Sequence, residues 1–170
     1  RWIDGPPKYE YFSFIGDNED GYGSEYMTIK ANALTPIPND WSLQEAATLP
    51  CAGLTAWRAI MEEGNLQPNE TILVQGSGGV SIFALQLAKA HGANVIATTS
   101  SDEKAEKLKS LGADEVVNYK EHPQWGKEVL KLTANEGVDH VVEVAGGESF
   151  NESIRCAKLG GHISIIGILD

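Results

Sequence analysis

The chain has 170 residues, 42% of them hydrophobic and 22% charged, enough for one well-formed core with an appendage but too few for two full domains. A formal net charge of −11 speaks against nucleic acid as the main partner, since phosphate neutralisation needs a basic face, and against docking on an anionic membrane surface. No stretch approaches the roughly 20 apolar residues of a membrane span, and the two cysteines, Cys51 and Cys156, form neither a framework nor a CxxC pair, so a reduced, cytoplasmic protein is expected.

Residues 1–24 are rich in Gly, Pro, Asp and aromatics without periodicity and read as loop. Short apolar alternation over 24–38, closed by two prolines, predicts one or two small strands. Ser42 followed by Glu45 forms a capping box for a short helix that Pro50 ends or kinks. A longer helix then places Leu54, Trp57, Ile60 and Met61 on one apolar face, with Gly64 as its stop. From Thr71 the pattern becomes regular. The strands TILVQG, NVIATT, DEVVNY, VDHVVEVAG and HISIIGIL alternate with helices. Val80, Phe83, Leu87 and Ala90 are the expected stripe of the first helix. A capping box of Ser100 and Glu103 opens the second, and ESFNESIRCAKLGG is the last. Apolar runs of four to seven residues between helices predict an α/β fold, a doubly wound parallel sheet of five strands. Trp57 and Trp125 fit the core, and the four histidines have no ligand spacing. Both chain ends, RWIDGPPKYEYF and GHISIIGILD, read as cut, so a fragment of a longer protein is expected.

The segment VQGSGGVS puts three glycines into four positions between a strand and a helix. Gly76 and Gly78 match the first two glycines of a GxGxxG dinucleotide fingerprint, and Ser81 stands at the third. Gly76 suits a tight turn and Gly78 a close approach of backbone to pyrophosphate. Ser77, Gly79 and Val80 complete a cradle at the helix N-terminus, where the dipole favours negative charge. The second strand ends Thr99-Ser100-Ser101 without the acid that usually holds a ribose hydroxyl. Hydroxyls at Thr99, Ser100 and Ser101, with Lys104 beyond, suit a 2′-phosphate and tilt the expected cofactor to NADP. NAD returns if Asp102 reaches the ribose.

Together LPCAGLTAWRAI, the glycine segment with its helix, LGADEVVNY, VDHVVEVAGG and GGHISIIGIL resemble the medium-chain dehydrogenase/reductase superfamily. The resemblance is closest to its quinone-oxidoreductase-like branch of NAD(P)-dependent alcohol dehydrogenases. It implies a Rossmann domain over 46–170 with strand order 3-2-1-4-5, and a remnant of a GroES-like catalytic domain over 1–45. It implies that Thr55 faces the nicotinamide and that Tyr119 lies near the adenosine ribose or its phosphate. Ala145, Gly146, Ile166, Gly167 and Ile168 would line the cofactor's path. The implied activity is hydride transfer with a small quinone, enone, aldehyde or alcohol, with no nameable catalytic residue, in a protein that is a homodimer at full length. The fragment alone would be inactive. Cys51 resembles a zinc-ligating cysteine in position. No second ligand stands near it, so it reads as a small buried residue at a helix start, and zinc is not expected. A zinc-dependent alcohol dehydrogenase and a non-catalytic nucleotide-binding module are the alternatives.

Overall fold

The computed structural model describes Lys8, Tyr9, Gly16 and residues 19–167, so Ile168 lies outside the described residues. The chain divides between Leu43 and Gln44 into two compact units. In the first, the small strands expected over 24–38 are absent among the described residues. A single 3-10 turn, Ala31–Ala33, sits there between extended Lys30 and Leu34. Extended backbone becomes a strand only with a hydrogen-bonded neighbour, and none of the described residues pairs with these. The helix α1 (Leu43–Ala47) follows the Ser42 signal.

The second unit is a five-stranded parallel sheet in the order β3-β2-β1-β4-β5. Its strands are β1 (Thr71–Gln75), β2 (Asn94–Thr99), β3 (Glu115–Asn118), β4 (Val138–Glu143) and β5 (Ala157–Ile165). The helices are α2 (Leu54–Trp57), α3 (Gly79–Ala90), α4 (Asp102–Ser110), α5 (Trp125–Leu132) and α6 (Gly147–Cys156). Alternation along each strand builds two cores. Ile72, Val74, Val95 and Ala97 face a cluster with Ala84, Leu85 and Leu108. Leu73, Ile96 and Val141 face the other side, with Trp125, Val129 and Cys156. A strand buried on both faces must be apolar throughout, which is why these read as continuous runs.

Five local expectations shift. Between Leu49 and Glu63 the chain forms two π-helical stretches, Leu49–Gly53 and Arg58–Glu63, on either side of α2. The wider turn pairs side chains five apart, Trp57 Nε1 with Glu62 at 3.2 Å and Arg58 with Glu63 at 2.6 Å, and it rotates the apolar face. Ala56, Ala59 and Ile60 are buried, whereas Leu54, Trp57 and Cys51 are exposed. Gly64 stays right-handed at φ −77° and the left-handed turn falls on Asn65. A Cβ on Gly64 would stand 2.7 Å from the Ala59 carbonyl, so close packing requires the glycine. In α3 the buried stripe is Ser81, Ala84, Leu85 and Ala88; Val80, Phe83 and Leu87 flank it half-buried and Ala90 is exposed. The cap of α4 is Ser101, which accepts the Lys104 N–H at 3.4 Å, rather than Ser100. Finally, α6 stops at Cys156 and Ala157–Gly161 belongs to β5, where a register shift opposite Val138–His140 absorbs the extra residues.

Candidate dinucleotide site

The carboxyl ends of β1 and β4 open onto a cleft of about 1520 Å³. Ligands of open parallel sheets bind at this edge, where strand order reverses. Gly76 begins the β1–α3 turn with φ +74°, a conformation that disfavours any side chain, and its N–H donates to the Thr98 carbonyl at 2.8 Å. Gly78 is different: its φ of −76° suits any residue, yet a Cβ built there meets nothing within 4 Å. Space, not torsion, is what that glycine leaves. No side chain caps α3, so the first-turn N–H groups of Gly79, Val80 and Ser81, which helix geometry leaves unpaired, point at the cleft's edge with the positive end of the dipole. Ser81 does more than fit. It is buried, and its hydroxyl donates to the Gln75 carbonyl at 2.6 Å, tying the helix to the strand it leaves.

Of the sequence-predicted residues, Gly76, Gly78, Gly79, Val80, Tyr119, Ala145, Ile166 and Gly167 share this cleft. Thr55, Ser77, Thr99, Ser100, Ser101, Lys104 and Gly146 are not among its lining residues. Thr55 is half-buried on α2. Thr99 is only 1% exposed, its hydroxyl without a partner, so Ser100, Ser101 and exposed Lys104 are the accessible donors after β2. Asp102 accepts from Asn118 Nδ2 at 3.4 Å. Tyr119 is 40% exposed and its N–H donates to the Thr99 carbonyl at 2.9 Å, lacing the tips of β2 and β3 together.

The sequence reading missed several walls of the cleft, among them Gln75, Thr98, Trp125, Glu152 and Arg155. Arg155 pairs with Glu152, whose other oxygen accepts the Gly126 N–H at 3.0 Å. It also missed Glu143, which is fully buried at the end of β4. An acid interrupting VVEVAG, like the glutamine ending TILVQG, was the available signal, because a charge inside a buried strand must find partners. At the end of α6, burial pushes the Cys156 thiol up to about 12, leaving it unreactive. Remote from the cleft, His140 meets Glu70 at 2.9 Å, and its ring lies 6.0 Å from that of His162. Among the described residues no group of three His, Cys, Asp or Glu side chains is placed to hold a metal, so these residues do not by themselves fit a zinc ion. The open cradle does fit a dinucleotide pyrophosphate.

A family profile described as zinc-binding dehydrogenase matches residues 79–170, more than half the chain. The chain belongs to this zinc-binding dehydrogenase family, within the medium-chain dehydrogenase/reductase superfamily. It is 44% identical to a zinc-type alcohol dehydrogenase-like protein of Schizosaccharomyces pombe, over 99% of this chain and 50% of that protein. Among solved structures it resembles an NAD-dependent alcohol dehydrogenase, with a TM-score of 0.84 and 40% identity over 90% of this chain and 45% of that one. It also resembles a mycobacterial protein complexed with NADPH, with a TM-score of 0.72 and 32% identity over 78% and 41%. The chain thus spans about half the length of the curated relatives it matches. No helix among the described residues is long and apolar enough to cross a membrane.

Proposed function

We propose that this chain is the dinucleotide-binding part of an NADPH-preferring medium-chain oxidoreductase. The whole protein would transfer a hydride to or from a small quinone, enone, aldehyde or alcohol. The observation that carries the reading is the β1–α3 turn. Gly78 leaves open space in front of an uncapped helix N-terminus at the switch point of the sheet. When bound, the cofactor supplies the hydride chemistry, and the chain's residues bind and orient it. The N–H groups of 78–81 would hold pyrophosphate, and Tyr119 with the tips of β4 and β5 would flank the remainder. Family membership supports the reaction class, and relatives with NAD and with NADPH both occur.

The preference for NADPH rests on Ser100, Ser101 and Lys104. The Ser101 hydroxyl accepts the Lys104 N–H and keeps its own O–H to donate. No acid stands in β2 itself, and the Asp102 carboxylate that opens α4 accepts from Asn118. One or two charge-assisted hydrogen bonds, each worth roughly 1.5–3 kcal/mol, predict tighter binding of NADPH than NADH by on the order of ten- to a thousandfold. Because Thr99 is enclosed, an acid placed there would be a buried charge, so the deciding substitution is Ser100→Asp. It should reverse the preference in calorimetric titrations, while Lys104→Ala weakens NADPH alone, most at low salt. Equal affinities for the two cofactors, with Ser100→Asp changing neither, would overturn the NADPH reading. A zinc-dependent alcohol dehydrogenase is the second reading, favoured by the exposure of Cys51 and the family's description. Zinc bound by the chain and lost in Cys51→Ser would support it.

A further inference from the structure

We infer that Glu143 is a positioning residue for the dinucleotide cleft, acting with Gln75 to hold the turn from Val144 to Gly146; this rests on reading the cleft as the dinucleotide site. Glu143 is 0% exposed, and no cation among the described residues pairs with it. Its charge is met by four donors instead. One carboxylate oxygen accepts the N–H groups of Ala145 at 2.9 Å and Gly146 at 2.8 Å. The other accepts Gln75 Nε2 at 2.7 Å and the Ser153 hydroxyl. The Gln75 oxygen in turn accepts the N–H groups of Val144 at 3.1 Å and Ala145 at 3.3 Å. All three N–H groups of the turn are therefore read by two buried side chains, one from each central strand.

The pattern admits only one arrangement of donors and acceptors. Because the Gln75 oxygen faces backbone N–H groups, its NH2 must face residue 143, which must then accept at both oxygens. Glutamate can do this and glutamine cannot: a second NH2 would confront the Gln75 NH2, and turning Gln75 over would point its NH2 at two backbone N–H groups. The backbone carbonyl of Glu143, which any residue there would offer, ties in the neighbouring tip by accepting the N–H groups of Ile166 at 2.8 Å and Gly167 at 3.3 Å. Val144, Ala145, Ile166 and Gly167 all line the cleft. A buried charge is not needed to fill a core, where apolar side chains of equal volume serve as well. What it sets here is the position of the wall against which the dinucleotide would lie.

The test uses the whole chain in four forms: native, Glu143→Gln, the exchanged pair Gln75→Glu with Glu143→Gln, and Ile72→Val as a core-weakening control. Backbone amide exchange at Ala145 and Gly146 is read without dinucleotide, and the NADPH Kd is read by calorimetry well below every melting temperature. Glu143→Gln should speed exchange at those two amides and raise the Kd, each by about tenfold. The exchanged pair should restore both, because the amide now at position 143 donates to the carboxylate at position 75, and that carboxylate still accepts from the turn. Ile72→Val should lower the melting temperature and move neither readout. Faster exchange with an unchanged Kd would overturn the positioning role, as would an exchanged pair that restores neither readout. A Kd that rises equally in Ile72→Val would overturn it too, by making the effect one of general stability. A native chain that does not bind NADPH, with exchange still responding to Glu143→Gln, would instead overturn the dinucleotide reading of the cleft and this inference with it.

Discussion

The β1–α3 and β4–α6 turns leave adjacent strands at the same edge of the sheet, and both are built on clustered glycines. They solve opposite problems. In the first, the helix N-terminus has no side-chain cap, and Gly78 sits in an ordinary conformation with open space before it. In the second, Glu143 and Gln75 take up the N–H groups, and Gly146 and Gly147 adopt φ +85° and +48°. A glycine pair in sequence thus means open space at one turn and backbone conformation at the other. Only the partners of the neighbouring N–H groups tell them apart.

The sharpest way to break this contrast is Gly78→Val. The new side chain occupies the open space without touching the core, so NADPH affinity should fall on the order of a hundredfold while the melting temperature holds. That fall corresponds to losing one or two charge-assisted hydrogen bonds to phosphate. Calorimetry beside a thermal melt decides it. Next in size, Gly146→Ala should destabilise the fold by about 1–3 kcal/mol, because φ +85° with ψ −158° is a region essentially closed to other residues. Gly78→Ala should be nearly neutral when both variants are unfolded in denaturant titrations. Similar losses at both positions would erase the distinction.

The opposite edge of the sheet supplies a control on both turns. Burial alone would raise the Asp139 carboxyl, but the Thr71 N–H at 2.9 Å and the Lys158 ammonium at 3.0 Å outweigh it and lower the carboxyl below its ordinary 3.8. A carboxylate lowered by folding adds stability above its unfolded value and loses it as pH falls through the folded one. Asp139→Asn should therefore flatten the loss of stability below about pH 4, followed by urea unfolding. Dinucleotide affinity at neutral pH should not change. The smallest effect concerns the thiols. At neutral pH an alkylating reagent should modify exposed Cys51 and spare Cys156 in the folded chain, whose thiol is held up to about 12, as peptide mapping would show.

Much of this was legible in the sequence because parallel strands between two helical layers cannot hide. Ile72, Leu73 and Val74 must all be apolar, and the strand order 3-2-1-4-5 was implied by the family resemblance. The cradle was legible for a similar reason, since Gly76 and Gly78 stand where a strand hands over to a helix. The face of the segment around Leu54 and Trp57 was not, because a period of 3.6 does not apply across π turns that pair residues five apart. The cap at Ser101 instead of Ser100 turned on one residue of phase. Glu143 was visible as an oddity, but its meaning depends on Gln75, 68 residues away, and sequence alone does not bring the two together.

That same separation governs how the molecule assembles. β1 meets β2 across a single helix, whereas β1 meets β4 only after closing a loop of 68 residues, the span between Thr71 and Asp139. Loop closure grows with the logarithm of length, and distant parallel pairings slow folding. The order of events follows. Local pairing is expected to form β1–β2–β3 and β4–β5 first, with the β1–β4 pairing that brings the two walls of the cleft together expected last. A refolding chain would gain the capacity to hold a dinucleotide only in its final kinetic phase, after most of its helical signal has already returned.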